Sequence, residues 1–467
     1  MINPHIFRAY DIRGVVGRDI DPDAFRRIAQ AFGSMLRAEG YPEAIVGRDN
    51  RLSSPDLARA VTEGLASTGV DVVDIGQVTT PCFYYGGMRM VRPAGVMVTG
   101  SHNPADQNGM KLLKGPSTIF GEEITSVARL AEGGPLLSGA GRVRQEDVVP
   151  EYQAAIMERI RLGPRHLAAV VDCGNGAAGP VNVPVLERLG VEVTPLYAEP
   201  DGRYPHHHPD PVEPENLRDL IATVKRQGAD LGLAFDGDGD RLGAVDERGR
   251  ILWGDALMAL FWREILPQHP GATAIIEIKC SQSLVDEVER LGGKPLFYKT
   301  GHSLIKAKMR EVGALFAGEM SGHLFFADEY FGFDDGLYAA ARLLRIVSHL
   351  DRPLSSLVDQ LPRYESTPEI RVECPDARKD EVVASAAREL MRAYPCLTVD
   401  GVRVMTPGGW GLIRASNTQP VLVVRAEGKT ARDLAEVQGL LDRALETAGA
   451  GPVRWPDHVP AGGGASA

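Results

Sequence analysis

The chain has 467 residues, 44% of them hydrophobic, with 52 glycines and 32 prolines scattered among apolar runs. At roughly 100 to 200 residues per domain this means three or four domains with ample core, and it excludes a fibre or a disordered chain. The net charge of −11 comes with no basic stripe, which excludes an ordinary nucleic-acid binder and leaves any anionic ligand to a local cluster of cations.

The opening MINPHIFRAYDIRG has no basic stretch followed by an apolar one, so no signal peptide is expected. No apolar run approaches the roughly 20 residues that span a bilayer. Short apolar runs predict strands at 44–46, 70–75, 95–99, 168–172, 231–235 and 274–278. Between them, apolar residues at three- and four-residue spacing predict helices such as 23–39 and 55–68. The alternation predicts α/β layers with largely parallel pairing. Residues 133–141 read as a linker, with further breaks near 249–253 and 362–368. From about Ile370 the pattern becomes that of a smaller α+β domain closed by a helix over 431–448. The expected domains are 1–140, 141–250, 251–365 and 366–453, with 454–467 as a poorly ordered tail. Cys82, Cys173, Cys280, Cys374 and Cys396 are far apart and lack Cys-x-x-Cys spacing. Reduced, mostly buried thiols in a soluble cytoplasmic protein are expected, not disulfides or a zinc site.

Several strands end in polar or Gly-rich loops, TGSHNP, DCGNGAAG, DGDGDR and KCSQS, and open α/β sheets place ligands at such loops. The strongest is Asp236-Gly-Asp-Gly-Asp240 followed by Arg241. Three carboxylates at alternate positions can converge on one hard cation, and the glycines let the loop fold tightly around it. Asp-Gly pairs are commonly solvated turns, but three repelling carboxylates this close demand a counter-ion. A calcium EF-hand is excluded, because Arg241 stands where its loop needs Gly and a strand precedes the loop. Magnesium, which keeps positions open for phosphate, fits better.

In Thr99-Gly-Ser-His-Asn-Pro104, followed by Lys111, a serine hydroxyl at a strand end can carry a phosphoryl group given a metal and nearby cations. A turn closed by Pro104 accounts for the same hexapeptide. A hydrolase triad lacks its G-x-S-x-G elbow, and His102 is poorly placed as the base for its neighbour Ser101. In Gly318-Glu-Met-Ser-Gly-His323, an extended loop would put Glu319, Ser321 and His323 on one face, able to bind neighbouring sugar hydroxyls. Arg414-Ala-Ser-Asn-Thr-Gln-Pro420, with Arg425 beyond, offers fork-shaped, hydroxyl and amide donors that suit a phosphate dianion, or a capped turn. His206-His-His208 reads as a polar loop, since consecutive side chains diverge. Asp172-Cys-Gly-Asn-Gly176 lacks the Lys-Ser/Thr ending of a P-loop.

TGSHNP, DGDGDR, GEMSGH and RASNTQP, in this order, resemble the signature loops of the α-D-phosphohexomutase superfamily. AYDIRG at 9–14, KTGHS at 299–303 and FGFDDG at 331–336 narrow the resemblance to the bacterial phosphomannomutase/phosphoglucomutase group. Gln419 stands where the pattern often has Thr, and Leu304 where it is often aromatic. The resemblance implies three related α/β domains plus a smaller C-terminal α+β domain around a central cleft. It implies that Ser101 is the phosphoserine and that Ser101, Asp236, Asp238 and Asp240 hold one magnesium ion. Tyr10, Arg13, Lys279, His302, Glu319, Ser321 and His323 would contact substrate. Arg414, Ser416, Asn417, Thr418 and Arg425 would grip the phosphate that is not transferred.

The activity implied is interconversion of hexose 1- and 6-phosphates, of mannose or glucose, through a hexose 1,6-bisphosphate. Arg241 would offset charge on the transferring oxygens. Lys111 is the first candidate for proton transfer and His323 the second, with His102 also among the catalytic candidates. The expected partners are small hexose phosphates, with no nucleic acid and no membrane, and the oligomeric state stays undetermined. A metal-dependent phosphatase and a non-catalytic sugar-phosphate binder are the other classes. Within the mutases, glucosamine phosphate is the nearest competing substrate.

Overall fold

The computed structural model describes residues 2–416 and 420–456. They form two compact units. One comprises the chain up to Trp253 with His302–Glu311 and Ser321–Ser356; the other comprises Gly254–Gly301, Val312–Met320 and the chain from Leu357 onward.

The first unit holds two sheets. The larger has strands β1 (Ile12–Val15), β2 (Glu43–Arg48), β3 (Asp71–Gln77), β4 (Ala94–Val98), β5 (Gln107–Lys114), β6 (Ser117–Thr118) and β7 (Val143–Gln145), in the order β1-β5-β4-β2-β3-β7 with β6 on β5. β4, Ala-Gly-Val-Met-Val, is buried along its whole length, as expected of a central strand covered on both faces. The helix Pro22–Ala38 starts on Asp21, whose side chain accepts the N–H of Ala24, and a proline occupies its first turn, where a missing N–H costs nothing. It and the helix Ser54–Ala66 bury Phe25, Ile28, Phe32, Leu57, Val61 and Leu65 in one core with Val46, Val72 and Val96. Each such large side chain contributes roughly 1.5–3 kcal/mol by leaving water. The second sheet, of β8 (Ala168–Asp172), β9 (Glu192–Leu196), β10 (Leu231–Phe235), β11 (Leu242–Asp246) and β12 (Ile251–Leu252), runs β12-β11-β10-β8-β9.

The expectation of largely parallel pairing holds only for part of each sheet. β3, β2 and β4 are parallel, and so are β9, β8 and β10, but β5 and β11 return antiparallel beside β4 and β10. Val98 pairs with Met110 and Phe235 with Leu242. The TGSHNP and DGDGDR loops are therefore hairpin connections between neighbouring strands, not strand-to-helix turns. A hairpin anchors both ends of its loop in one sheet, which holds the side chains between them more closely.

In the second unit β13 (Thr273–Glu277) pairs in parallel with β14 (Lys294–Tyr298) and β15 (Phe316–Gly318). β16 (Leu324–Phe326) belongs to the first unit. The rest of the second unit is an antiparallel sheet of β17 (Glu365–Ser366), β18 (Ile370–Glu373), β19 (Cys396–Leu397), β20 (Val402–Thr406), β21 (Gly409–Ala415) and β22 (Val421–Gly428). The helices Asp376–Leu390 and Ala431–Thr447 cover it. Among the described residues no helix is long and apolar enough to cross a membrane.

Asp335 caps the helix Gly336–Ser348, accepting the N–H of Tyr338 at 2.9 Å and the hydroxyls of Tyr152 and Tyr330 at 2.9 and 2.7 Å. Burial raises its carboxyl from the ordinary 3.8 to about 7, against those hydrogen bonds. Because folding raises this pKa, the stability contribution is complete below about pH 4 and is lost as pH rises through 7, by at most ~4 kcal/mol. Asp335→Asn keeps the cap and removes the titration. It is expected to flatten the fall in urea midpoint between about pH 5 and 8; a slope equal to that of the parent protein would refute this.

Candidate active site

Two hairpin loops of the first unit meet at Ser101. Its hydroxyl donates to Asp236 at 2.7 Å, and the residue is 1% exposed. Ser101 has φ 47°, the left-handed region that a residue with a Cβ enters only under constraint. The two loops touch backbone to backbone: a Cβ on Gly237 would stand 2.5 Å from the Ser101 carbonyl oxygen. Glycine there is required by close approach, not by the flexibility the sequence suggests.

Asp236, Asp238 and Asp240 are each 0% exposed. One carboxylate oxygen from each lies within 4.8 Å of the others. Lys111 lies across two of them, 2.9 Å from Asp238 and in direct contact with Asp240. Asp238 also accepts the hydroxyls of Thr80 and Thr99 at 2.6 and 3.1 Å. Burial, then the charges of Asp238 and Asp240, push the Asp236 carboxyl well up. Burial would do the same to Asp238, but the charge and hydrogen bond of Lys111 outweigh it and hold Asp238 well below the usual range. Lys111 loses to burial but gains more from the two carboxylates, so it stays a charged ammonium.

The donor set suits a hard divalent cation. Asp238 Oδ1 and Asp240 Oδ1 are buried without a hydrogen-bond partner, and an all-oxygen site is what magnesium prefers. Asp240, His323 and Asp334 have similar spacing. There, however, Lys306 sits 2.7 Å from Asp334 and Lys111 lies against Asp240, so the charge is already balanced.

Around this centre the structure gathers most of the residues named from the sequence. Arg241 donates its backbone N–H to Asp236 at 3.1 Å and its Nε–H to His323 Nε2 at 3.1 Å. An antiparallel bridge joins Arg241 to His323. His323 Nδ1 lies 3.1 Å from Asp334 without the alignment of a hydrogen bond. His302 stacks on His323 with ring centroids 5.4 Å apart and meets Tyr10 edge-on at 5.1 Å. Arg13 is held by Asp11 at 2.6 Å and Asn103 at 2.8 Å. His102 Nδ1 bonds Asp210 at 2.7 Å. Burial and Arg241 lower its pKa to about 3 against that carboxylate, so it is a neutral imidazole. Ser321 is half-buried in the same unit.

The others lie in the second unit. Lys279 pairs with Glu369 at 2.9 Å, and Glu319 accepts the Gly301 N–H at 2.7 Å. Arg414 is buried against Asp400 at 3.0 Å, and Ser416 is buried beside it in sequence. Arg425 is spent on the carbonyl of Lys279 and contacts Met320 Sδ at 3.4 Å. Asn417 and Thr418, like Gln419, lie outside the described residues. GEMSGH is not extended as expected. It turns at 320–322, because β15 has ended and the chain reverses before the Arg241–His323 bridge.

Thr80, Thr99, Asp210 and Asp334 were not singled out from the sequence. Asp210 follows the His206–His208 segment, and Asp334 sits inside the FGFDDG run; only long-range contacts give either a role. His206 and His207 bond Asn175 and Asp172 within a polar loop, as read.

A buried serine hydroxyl on Asp236, within a cluster of three carboxylates with an ammonium and a guanidinium beside it, is an arrangement suited to metal-assisted phosphoryl transfer. The comparisons with known proteins make the family specific. The four phosphoglucomutase/phosphomannomutase domain models match in sequence: alpha/beta/alpha domain I at 4–132, domain II at 150–249, domain III at 253–364 and the C-terminal domain at 369–444. The chain belongs to the phosphoglucomutase/phosphomannomutase family. It is 46% identical to a phosphomannomutase/phosphoglucomutase of Pseudomonas aeruginosa over 94% of this chain and 95% of that protein. It is 42% identical to a phosphoglucomutase of Neisseria gonorrhoeae over 96% and 98% of the two. A crystal structure of a family protein from Burkholderia thailandensis matches at TM-score 0.92 and 43% identity, covering 98% of this chain and 100% of that one.

Lys111→Met leaves Asp238 and Asp240 buried without their cation. In a metal-free sample it is expected to lower unfolding free energy by about 3–5 kcal/mol, with part recovered on adding magnesium. Urea unfolding with and without the ion checks this; an unchanged metal-free midpoint would refute the charge-balance account.

Proposed function

We propose that the protein interconverts the 1- and 6-phosphates of mannose and glucose through a phosphorylated Ser101 and a hexose 1,6-bisphosphate. The observation that carries this reading is the buried Ser101 hydroxyl on Asp236, inside a carboxylate cluster with unpartnered oxygens. Asp236, Asp238, Asp240 and the Ser101 oxygen would hold one magnesium ion, which when bound offsets charge on the transferring oxygens.

The free hydroxyl of a hexose monophosphate attacks the phosphorus of phospho-Ser101. The bond from phosphorus to Ser101 Oγ breaks, and the proton lost by the sugar hydroxyl replaces the one given to Oγ, so that none is gained or lost overall. The bisphosphate then turns over and returns its other phosphoryl group to Ser101. Lys111 is our first candidate to give the proton to Oγ; against burial, its two carboxylates raise its pKa, so the role requires those carboxylates to turn to another cation first. Arg241, its side chain held by His323, would offset the charge that develops on the transferring oxygens. Arg13, Tyr10 and His302 are our sugar-phosphate contacts in the first unit. Lys279, Glu319 and the Arg414–Ser416 strand end are those in the second, with Asn417 and Thr418 of the same loop. All five cysteines are free thiols, which suits a cytoplasmic enzyme.

The test is a coupled assay with magnesium and trace hexose 1,6-bisphosphate, comparing mannose, glucose and glucosamine 1-phosphates. Formation of 6-phosphates from the first two is expected, with kcat reduced at least ~10³-fold in Ser101→Ala. Phosphate release without isomer would assign a phosphatase instead, and saturable binding without turnover a sugar-phosphate binder. Arg414→Ala is expected to raise KM for both phosphates by roughly 10-fold or more, the worth of a charge-assisted hydrogen bond. Unchanged KM and binding for each would remove Arg414 from the site.

A further inference from the structure

We infer that Arg51, which lies outside every signature loop, is the positioning residue of the transfer reaction and sets the backbone from which Ser101 reacts. This rests on the phosphoserine reading above. The Arg51 side chain is 0% exposed. Its Nη1 donates to the carbonyls of Pro104 at 2.5 Å and Gln107 at 2.9 Å. Its Nη2 donates to those of Ser101 at 2.7 Å and Asn103 at 2.5 Å. One planar fork thus satisfies three carbonyls of the irregular loop between β4 and β5 and that of Gln107 at the start of β5, where each buried carbonyl needs a donor.

Asp49 completes the clamp. It pairs with Arg51 Nε at 3.2 Å and accepts the Gly100 N–H at 3.0 Å, so the residue before Ser101 is held from the same pair. The Arg51 charge is balanced locally and its donors are committed to backbone, which leaves geometry as its contribution. Gly100 fits this arrangement: a Cβ there would stand 2.5 Å from the guanidinium carbon. The guanidinium also lies over the ring of Tyr204, 5.4 Å from its centroid. The clamp thereby holds the strained φ of Ser101 and directs its hydroxyl at Asp236.

The test uses Arg51→Lys, Gly100→Ala and the double variant in the full-length, phosphorylated, magnesium-loaded protein. An ammonium cannot reproduce the fork, and a methyl on residue 100 displaces it. Each single variant is expected to lower kcat about 10- to 100-fold, with KM for glucose 1-phosphate within about twofold. Amide exchange across 100–107 should accelerate while exchange elsewhere stays as in the parent protein. The double is expected to be no slower than the worse single, since both disturb one contact. Losses that multiply, a kcat unchanged in Gly100→Ala, or a lower kcat with normal exchange at 100–107 would each overturn the inference. Gly100→Ala gives the same readouts should Arg51→Lys not fold. If the parent protein forms no isomer, the mutase reading fails separately. The clamp is then judged on exchange alone, and parent-like protection of 100–107 in Gly100→Ala overturns it.

Discussion

The contact between Lys111 and the carboxylates of Asp238 and Asp240 takes place wholly out of water, where like charges repel strongly and no solvent relieves them. Three aspartates cannot share one buried hairpin unless cations are built in around them. Two threonine hydroxyls, a backbone N–H of Arg241 and the Ser101 hydroxyl take up further lone pairs. What is left over, an oxygen each on Asp238 and Asp240, is the part of the cluster that a metal would complete.

That constraint explains how a chain of net charge −11 handles phosphate. The cations beside Ser101 are not part of a basic surface but buried or half-buried, each locked to a carboxylate or to His323. Arg13 is locked to Asp11, and Arg241 lies within 3.9 Å of Asp210 and Asp236. Fixed cations with little freedom to relax stabilise a transition state better than mobile surface ones, because no reorganisation is needed as charge develops.

The second unit uses the same device on a different scaffold. Arg403 donates to the carbonyls of Ile278 and Cys280 and stacks 3.6 Å from the Trp410 ring, and burial lowers its pKa to about 9. With Arg425 on the carbonyl of Lys279, the strand-borne arginines of the antiparallel sheet brace the loop that follows β13. The sequence suggests Arg425 as a phosphate ligand; the structure adds a contact from its Nη1 to a backbone carbonyl that a motif cannot display.

Much of this was legible before any coordinates. The apolar runs marked β2, β3, β4, β8, β10 and β13 to within a few residues, since a buried strand must be apolar wherever it lies. The DGDGDR loop pointed to a cation because carboxylates two apart are a local fact, whereas TGSHNP read equally as a turn until the resemblance of the four loops was seen together. Antiparallel returns at β5 and β11 were not legible, since strand direction is settled by which neighbour the next strand reaches. Nor was the turn within GEMSGH. The sequence alone determined most of the elements, through short-range apolar spacing, and the family, through four loops that resemble its signatures in order. Only the tertiary structure decided that Ser101 meets Asp236 across 135 positions, that Lys111 is held as an ammonium, and that Arg51 lies beneath the serine loop. Those outcomes depend on how much water each group loses and which charge it meets there, and neither is set until the chain is packed.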